Sequence, residues 1–257
     1  MAKTAPRTAM DRTRDLIDPL WRNDIHFNEN GYADLLGHHE PPVHRAIQRL
    51  MRTELYSAIY EFGRNTARRV IGVTSPLRTD DRSDIIEALR LQPGATVLDV
   101  GCGPGNFTGL FGPVVGDDGL VIGLDASHQM LRVAAADNSG PNIAYLRADA
   151  ENLPFTDHTV DAVTCLAALY LINDPFRTLD EIARVLRSGG RIVILTSLAP
   201  GGSPDSLQSV AVQRFSGCRM FGRQEIVDSL RERGFVDIDQ QTGGLAQRVI
   251  ATKSTAH

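Results

Sequence analysis

The run Val97-Leu98-Asp99-Val100-Gly101-Cys102-Gly103-Pro104-Gly105-Asn106 constrains this chain more than any other stretch. An apolar strand carrying an acid near its end turns over three glycines into a helix. Glycine at alternate positions lets the backbone bend tightly with no Cβ between it and a ligand, and the helix that follows offers unpaired N–H groups to polar ligand atoms. The glycines read G-x-G-x-G, and Asn106 stands where the dinucleotide fingerprint asks for glycine or alanine. The run therefore predicts a cofactor-holding turn that differs from the nicotinamide type.

Further signals follow in order. The apolar strand Leu120-Val121-Ile122-Gly123-Leu124 ends at Asp125, one strand-helix-strand interval beyond the glycines. Ala126-Ser127 then open a helix through Leu131. A strand from Ile143 to Arg147 runs into Ala148-Asp149-Ala150-Glu151-Asn152-Leu153-Pro154-Phe155, and another, Val160 to Cys165, runs into Leu166-Ala167-Ala168-Leu169-Tyr170. A helix over Leu179 to Arg187 is expected to stop at Ser188-Gly189-Gly190 before a strand from Arg191 to Leu195.

From about Asp84 onward these residues resemble the class I S-adenosylmethionine-dependent methyltransferases, in the small-molecule branch that includes the ubiquinone and menaquinone biosynthesis enzymes. The resemblance implies an α/β fold, a Rossmann-like seven-stranded, mostly parallel sheet with helices on both faces. It implies S-adenosyl-L-methionine as methyl donor, held by Asp99, Gly101, Gly103, Gly105, Asp125, Ala126, Asp149, Ala150 and Leu166. In that reading Asp125 accepts from the two ribose hydroxyls, Asp149 from the adenine amino group, and the glycine-turn amides lie near the methionine portion. The segment from Leu166 faces donor and acceptor, which makes Tyr170 the candidate acceptor contact in the catalytic site. The expected acceptor is a small, partly apolar metabolite such as a quinone precursor, a lipid-related molecule or a secondary metabolite. Two alternatives stay open: a non-catalytic protein that binds the same cofactor, and a nicotinamide-dependent oxidoreductase.

Several residues carry a second reading. Asp99 either touches the ligand or holds the glycine turn from below. Cys102 and Cys165 lie beside the expected site as small packing residues. His158 reads as a solvated loop residue and His128 as a lining of the adenosine pocket or an exposed side chain. Tyr170 also suits a cap on the sheet edge. Gly37-His38-His39-Glu40-Pro41-Pro42-Val43-His44 gathers three histidines and an acid, yet lacks the spacing of a helical zinc site, so no metal is expected.

Composition narrows the class. With 42% hydrophobic and 23% charged residues the chain suits a globular enzyme, and a net charge of -4 without a basic block argues against nucleic acid as partner. Three scattered cysteines suggest neither a disulfide framework nor a zinc cluster, and no apolar run suits a membrane span or signal peptide, so the expectation is a cytoplasmic protein.

Two regions are expected: a helical N-terminal extension over 1–80, read as a substrate lid or an edge support, and the methyltransferase domain over 81–257. The first fifteen residues read as a mobile tail. Ile47, Leu50, Met51, Leu55, Ala58, Ile59 and Phe62 recur at helical spacing between Arg45 and Phe62. Ser83 suits an N-cap, Ala199 to Pro204 a loop that acts as a second lid, and the tail a helix from Gln224 to Arg233 with strands near Phe235 to Ile238 and Leu245 to Ala251.

Overall fold

The computed structural model describes residues 7–37 and 82–255. In chain order it contains helix α1 (Ala9–Leu16), strands β1 (His26–Phe27) and β2 (Ala33–Asp34), α2 (Arg82–Leu89), β3 (Thr96–Val100), α3 (Thr108–Val115), β4 (Leu120–Asp125) and α4 (His128–Asp137). There follow β5 (Ile143–Arg147), β6 (Val160–Leu166), α5 (Pro175–Val185), β7 (Leu186–Ser197), α6 (Leu207–Ser216), α7 (Glu225–Glu232), β8 (Phe235–Gly243) and β9 (Ala246–Lys253). The strands form one sheet of order β1-β2-β5-β4-β3-β6-β7-β9-β8. From β2 through β7 neighbours run parallel, while β9 and β8 close that side antiparallel and β1 pairs antiparallel with β2.

The central strands read as near-continuous apolar runs because both sheet faces are covered. Leu98, Val100, Ile122, Leu124, Ile192 and Ile194 belong to one apolar cluster, and their alternates Val97, Val121 and Val193 to the other. Ala9 of α1, Leu179 and Ile182 of α5 and Ile226 and Leu230 of α7 close the first layer. Ile85 and Leu89 of α2 with Phe111 and Val115 of α3 close the second. Each such aliphatic side chain contributes about 1.5–3 kcal/mol on full burial. α5 shows the local logic: Asp174 caps it by accepting from the Phe176 and Arg177 amides, Pro175 opens it, and Leu179, Ile182 and Val185 form its buried stripe.

Four details depart from the expectations. Among the described residues the sheet has nine strands where seven are expected, because β1 and β2 extend it beyond β5. Residues 9–16 form a helix rather than a tail, since Thr8 and Asp11 make a reciprocal capping box and Ala9 and Thr13 are buried. Helix α2 begins at Arg82, so Ser83 lies inside it. α5 stops at Val185, and Gly189-Gly190 lie inside β7, where the pairing jumps from Val160–Leu186 to Ala162–Arg191. The two glycines thus make a bulge instead of a helix stop.

Between β7 and α7 the Ala199–Pro204 stretch holds a single 3-10 turn, Pro200–Gly202. α6 follows it and is inverted: Ser209 is buried while Leu207 and Phe215 are 90% and 92% exposed. The expected helix from Arg45 to Phe62 and the histidine group from His38 to His44 lie outside the described residues. Among the described residues, no helix is long and apolar enough to cross a membrane.

Candidate functional site

Because β3, β4, β5 and β6 run parallel, the loops leaving Val100, Asp125, Arg147 and Leu166 collect along one rim of the sheet. Ligands in open α/β sheets bind at this carboxyl rim. The glycine turn, Asp125-Ala126, Asp149-Ala150 and the Leu166–Tyr170 segment all lie on it. His158 lies at the opposite, amino end of β6, exposed and with φ of 56°, so it is remote from the rim.

The turn after β3 is held from both sides. The Gly101 and Cys102 amides donate to the Leu124 carbonyl at 2.7 and 3.0 Å, and the Gly105 amide donates to the Cys102 carbonyl at 3.0 Å. The Gly103 amide donates to Asp125 Oδ2 at 2.9 Å, and the Ser127 amide to Asp125 Oδ1 at 2.8 Å. The N–H groups of Gly101, Cys102, Gly103 and Gly105 are thus engaged within the protein. The glycines are needed for shape instead. Gly101, Gly103 and Gly105 have φ of 68°, 54° and 76°, the left-handed region that disfavours other residues.

Their surroundings separate their roles. A Cβ on Gly101 would stand 2.4 Å from the Ala168 Cβ, and one on Gly105 2.4 Å from the Tyr145 hydroxyl. A Cβ on Gly103 would meet no atom of the described residues within 4 Å. Gly101 and Gly105 thus let the turn pack against the segment after β6 and against β5, while Gly103 presents its backbone directly beside half-buried Asp125. That glycine and that acid fit a ligand approaching the backbone closely and donating hydroxyls to a carboxylate.

Asp99 resolves toward the supporting role. It is 2% exposed, and its two carboxylate oxygens accept from Thr108 Oγ1 and Thr164 Oγ1, both at 2.7 Å. Burial pushes its carboxyl above the ordinary range, and the two threonine hydroxyls oppose that rise. Thr108 begins α3 and Thr164 lies in β6, so the acid ties the turn to both. Neither threonine was singled out from sequence; a hydroxyl inside the apolar run Val163-Thr164-Cys165 is the signal that marks one of them.

Burial also raises both nearby thiols. Cys102 is pushed well above its ordinary value by desolvation and by Asp125, and Cys165 up to about 12 by desolvation and by Asp99. Both remain thiols at neutral pH, which suits packing and not nucleophilic chemistry.

On the adenosine side, Asp149 is half-buried and its Oδ1 accepts from the Glu151 amide at 2.9 Å. Ala150 packs partly buried on the first core layer and Leu166 on the second. Ala126 receives a hydrogen bond at its carbonyl from Arg147 Nε at 3.0 Å. Beyond β6, exposed Ala167 has φ of 58°, an uncommon conformation for a residue with a Cβ, and places Ala168 against Gly101. Tyr170 sits in the short Leu169–Leu171 turn, partly buried, its carbonyl accepting from the Arg219 amide at 3.0 Å.

Residues 98–194 match the family model described as a methyltransferase domain. A demethylmenaquinone methyltransferase of Shouchella clausii is 39% identical over 124 residues, covering 46% of this chain and 52% of that protein. A ubiquinone/menaquinone biosynthesis C-methyltransferase of Hahella chejuensis is 34% identical over 148 residues, covering 56% and 59%. The chain thus spans between about half and three fifths of the length of these curated relatives. Among solved structures, a Haemonchus contortus phosphoethanolamine N-methyltransferase in complex with phosphomonomethylethanolamine and S-adenosylhomocysteine superposes with a TM-score of 0.62 at 17% identity, covering 70% of this chain and 54% of that one. Residues 98–194 thus match a methyltransferase domain, and the chain is similar there to the quinone-biosynthesis C-methyltransferases.

Proposed function

We propose that this chain transfers a methyl group from S-adenosyl-L-methionine to a small, partly apolar acceptor of the quinone-precursor kind. The observation that carries the reading is the meeting of the Gly103 backbone with Asp125 at the carboxyl rim, within 2.9 Å of each other. Asp125 would take the ribose hydroxyls, Asp149 with Ala150 the adenine edge, and Gly101 through Gly105 the methionine portion by shape. Ala126 and Leu166 would wall the same cleft, while Asp99 acts beneath it through Thr108 and Thr164.

When bound, S-adenosylmethionine supplies a methyl group already activated on a sulfonium. The protein's task is then positioning, and holding reactants in attack geometry supplies roughly 7–11 kcal/mol in favourable cases. Tyr170 is the proposed acceptor contact, held in place by the Arg219 amide. The names of the curated relatives support a quinone-like acceptor. So do the outward Leu207, Val210 and Phe215 of α6, whose connection to α7 reaches Tyr170 through Arg219.

The test is transfer of labelled methyl from S-adenosylmethionine to a panel of reduced naphthoquinols and benzoquinols, with polar amines as contrast. Saturable labelling of a quinol, abolished by S-adenosylhomocysteine, is the expected result. Labelling confined to the amines, or donor binding without transfer to any acceptor, would overturn the proposal.

A further inference from the structure

We propose that Asp34 and Arg147 are positioning residues for the donor's ribose, so that the N-terminal arm, outside the matched methyltransferase segment, forms part of the donor site. The inference rests on the reading that Asp125 holds that ribose.

Arg147 is the last residue of β5, in register with Asp125 on one side and Asp34 on the other. It is 1% exposed, which makes it a nearly fully buried guanidinium. Its Nε donates to the carbonyl of Ala126, the residue following Asp125, at 3.0 Å. Its Nη1 donates to both Asp34 oxygens at 3.2 and 3.1 Å and to the Gly37 carbonyl at 3.0 Å. Asp34 Oδ1 in turn accepts from the Leu36 and Gly37 amides at 2.9 and 3.1 Å.

A buried guanidinium persists only with a compensating charge and satisfied donors, and Asp34 supplies that charge from β2. The docking of the arm and the position of the Ala126 carbonyl are therefore coupled through one planar side chain. The arm grips the same tip a second time: Tyr32 Oη lies 2.7 Å from Nδ1 of His128, the first residue of α4, and His128 Nε2 lies 3.8 Å from Asp34 Oδ2. The peptide between Asp125 and Ser127 is thus fixed on one side by Arg147, while the Asp125 carboxylate is aimed by the Gly103 and Ser127 amides. Loss of Asp34 frees that tip to shift, and a carboxylate that must meet two vicinal hydroxyls tolerates little displacement.

The experiment is calorimetric titration of the full chain with S-adenosylhomocysteine and with its 2′-deoxy analogue. Wild type, Asp34→Asn, Arg147→Met and the double variant are compared, each checked by thermal melting. The wild type is expected to prefer the ribose form by about tenfold, the scale of one hydrogen bond to a charged group. Each single variant and the double variant are expected to lose most of that preference, the double losing no more than the singles. The double variant removes both charges and carries the test where a single one leaves a buried charge unpaired and fails to fold. A purely structural role lowers the melting temperature but leaves the ratio between the two ligands intact, and that outcome in a folded variant overturns the proposal. Failure of the wild type to bind S-adenosylhomocysteine at all would instead refute the donor reading and this inference with it.

Discussion

Replacing Gly101 and Gly103 by alanine, one at a time, should separate the two jobs done by the glycine turn. Both have positive φ, 68° and 54°, so each alanine costs about 1–2 kcal/mol of backbone strain. Gly101→Ala adds a methyl 2.4 Å from the Ala168 Cβ, an overpacking worth about 1–3 kcal/mol more. Its total is about 2–5 kcal/mol, or a melting temperature lower by about 4–20 °C for a domain of this size. Gly103→Ala meets no atom of the described residues within 4 Å and should lose only the strain, about 2–8 °C. Its methyl instead enters the space assigned to the donor and should weaken S-adenosylhomocysteine binding by about 1–3 kcal/mol, roughly 5- to 150-fold in Kd. In a double-mutant cycle, Ala168→Gly should return the overpacking part of the Gly101→Ala loss and none of the strain. Thermal melts and calorimetry read both quantities. Wild-type donor affinity in Gly103→Ala, or equal stability of the two alanine variants, would refute the reasoning.

Two other substitutions test the rim. Asp125→Ala should weaken S-adenosylhomocysteine binding by about 1.5–3 kcal/mol and, because it releases the Gly103 and Ser127 amides, lower stability by about 1–3 kcal/mol; titration and melting together check it. Thr164→Val removes one donor to buried Asp99 and should destabilise the fold by about 1–3 kcal/mol. The hydroxyl lowers the Asp99 pKa, so its loss raises an already raised value further. A carboxyl whose folded pKa exceeds its unfolded value, about 3.9, contributes its full stability below that value and loses it as pH rises through the folded one. The gap between Thr164→Val and wild type in urea melts should therefore widen from pH 4 to pH 8; a constant gap would show that Asp99 does not titrate against this bond.

The core of this fold was legible because buried parallel strands leave long apolar runs, and the turns between them leave glycines and acids at fixed intervals. The strands expected from Val97, over Leu120 to Leu124 and over Ile143 to Arg147 fall where their apolar runs placed them. β1 and β2 were not legible: two residues are too few to show alternation, and their pairing depends on Asp34 meeting an arginine 113 positions away. Gly189-Gly190 misled because a bulge and a helix stop use the same residue type. α6 escaped because its apolar residues point outward, so its pattern does not describe a core-facing stripe. At the site, the acids and glycines were visible, but the engagement of the turn amides was not. Nothing local to Gly103 records that its N–H goes to Asp125.

The central claim is that this rim holds S-adenosylmethionine. Titrating the purified chain calorimetrically with S-adenosylmethionine, S-adenosylhomocysteine and NAD in parallel tests it most directly. The account predicts saturable binding of the first two and none of NAD. Preference for NAD, or no binding of any of the three by a cooperatively folded protein, would contradict it.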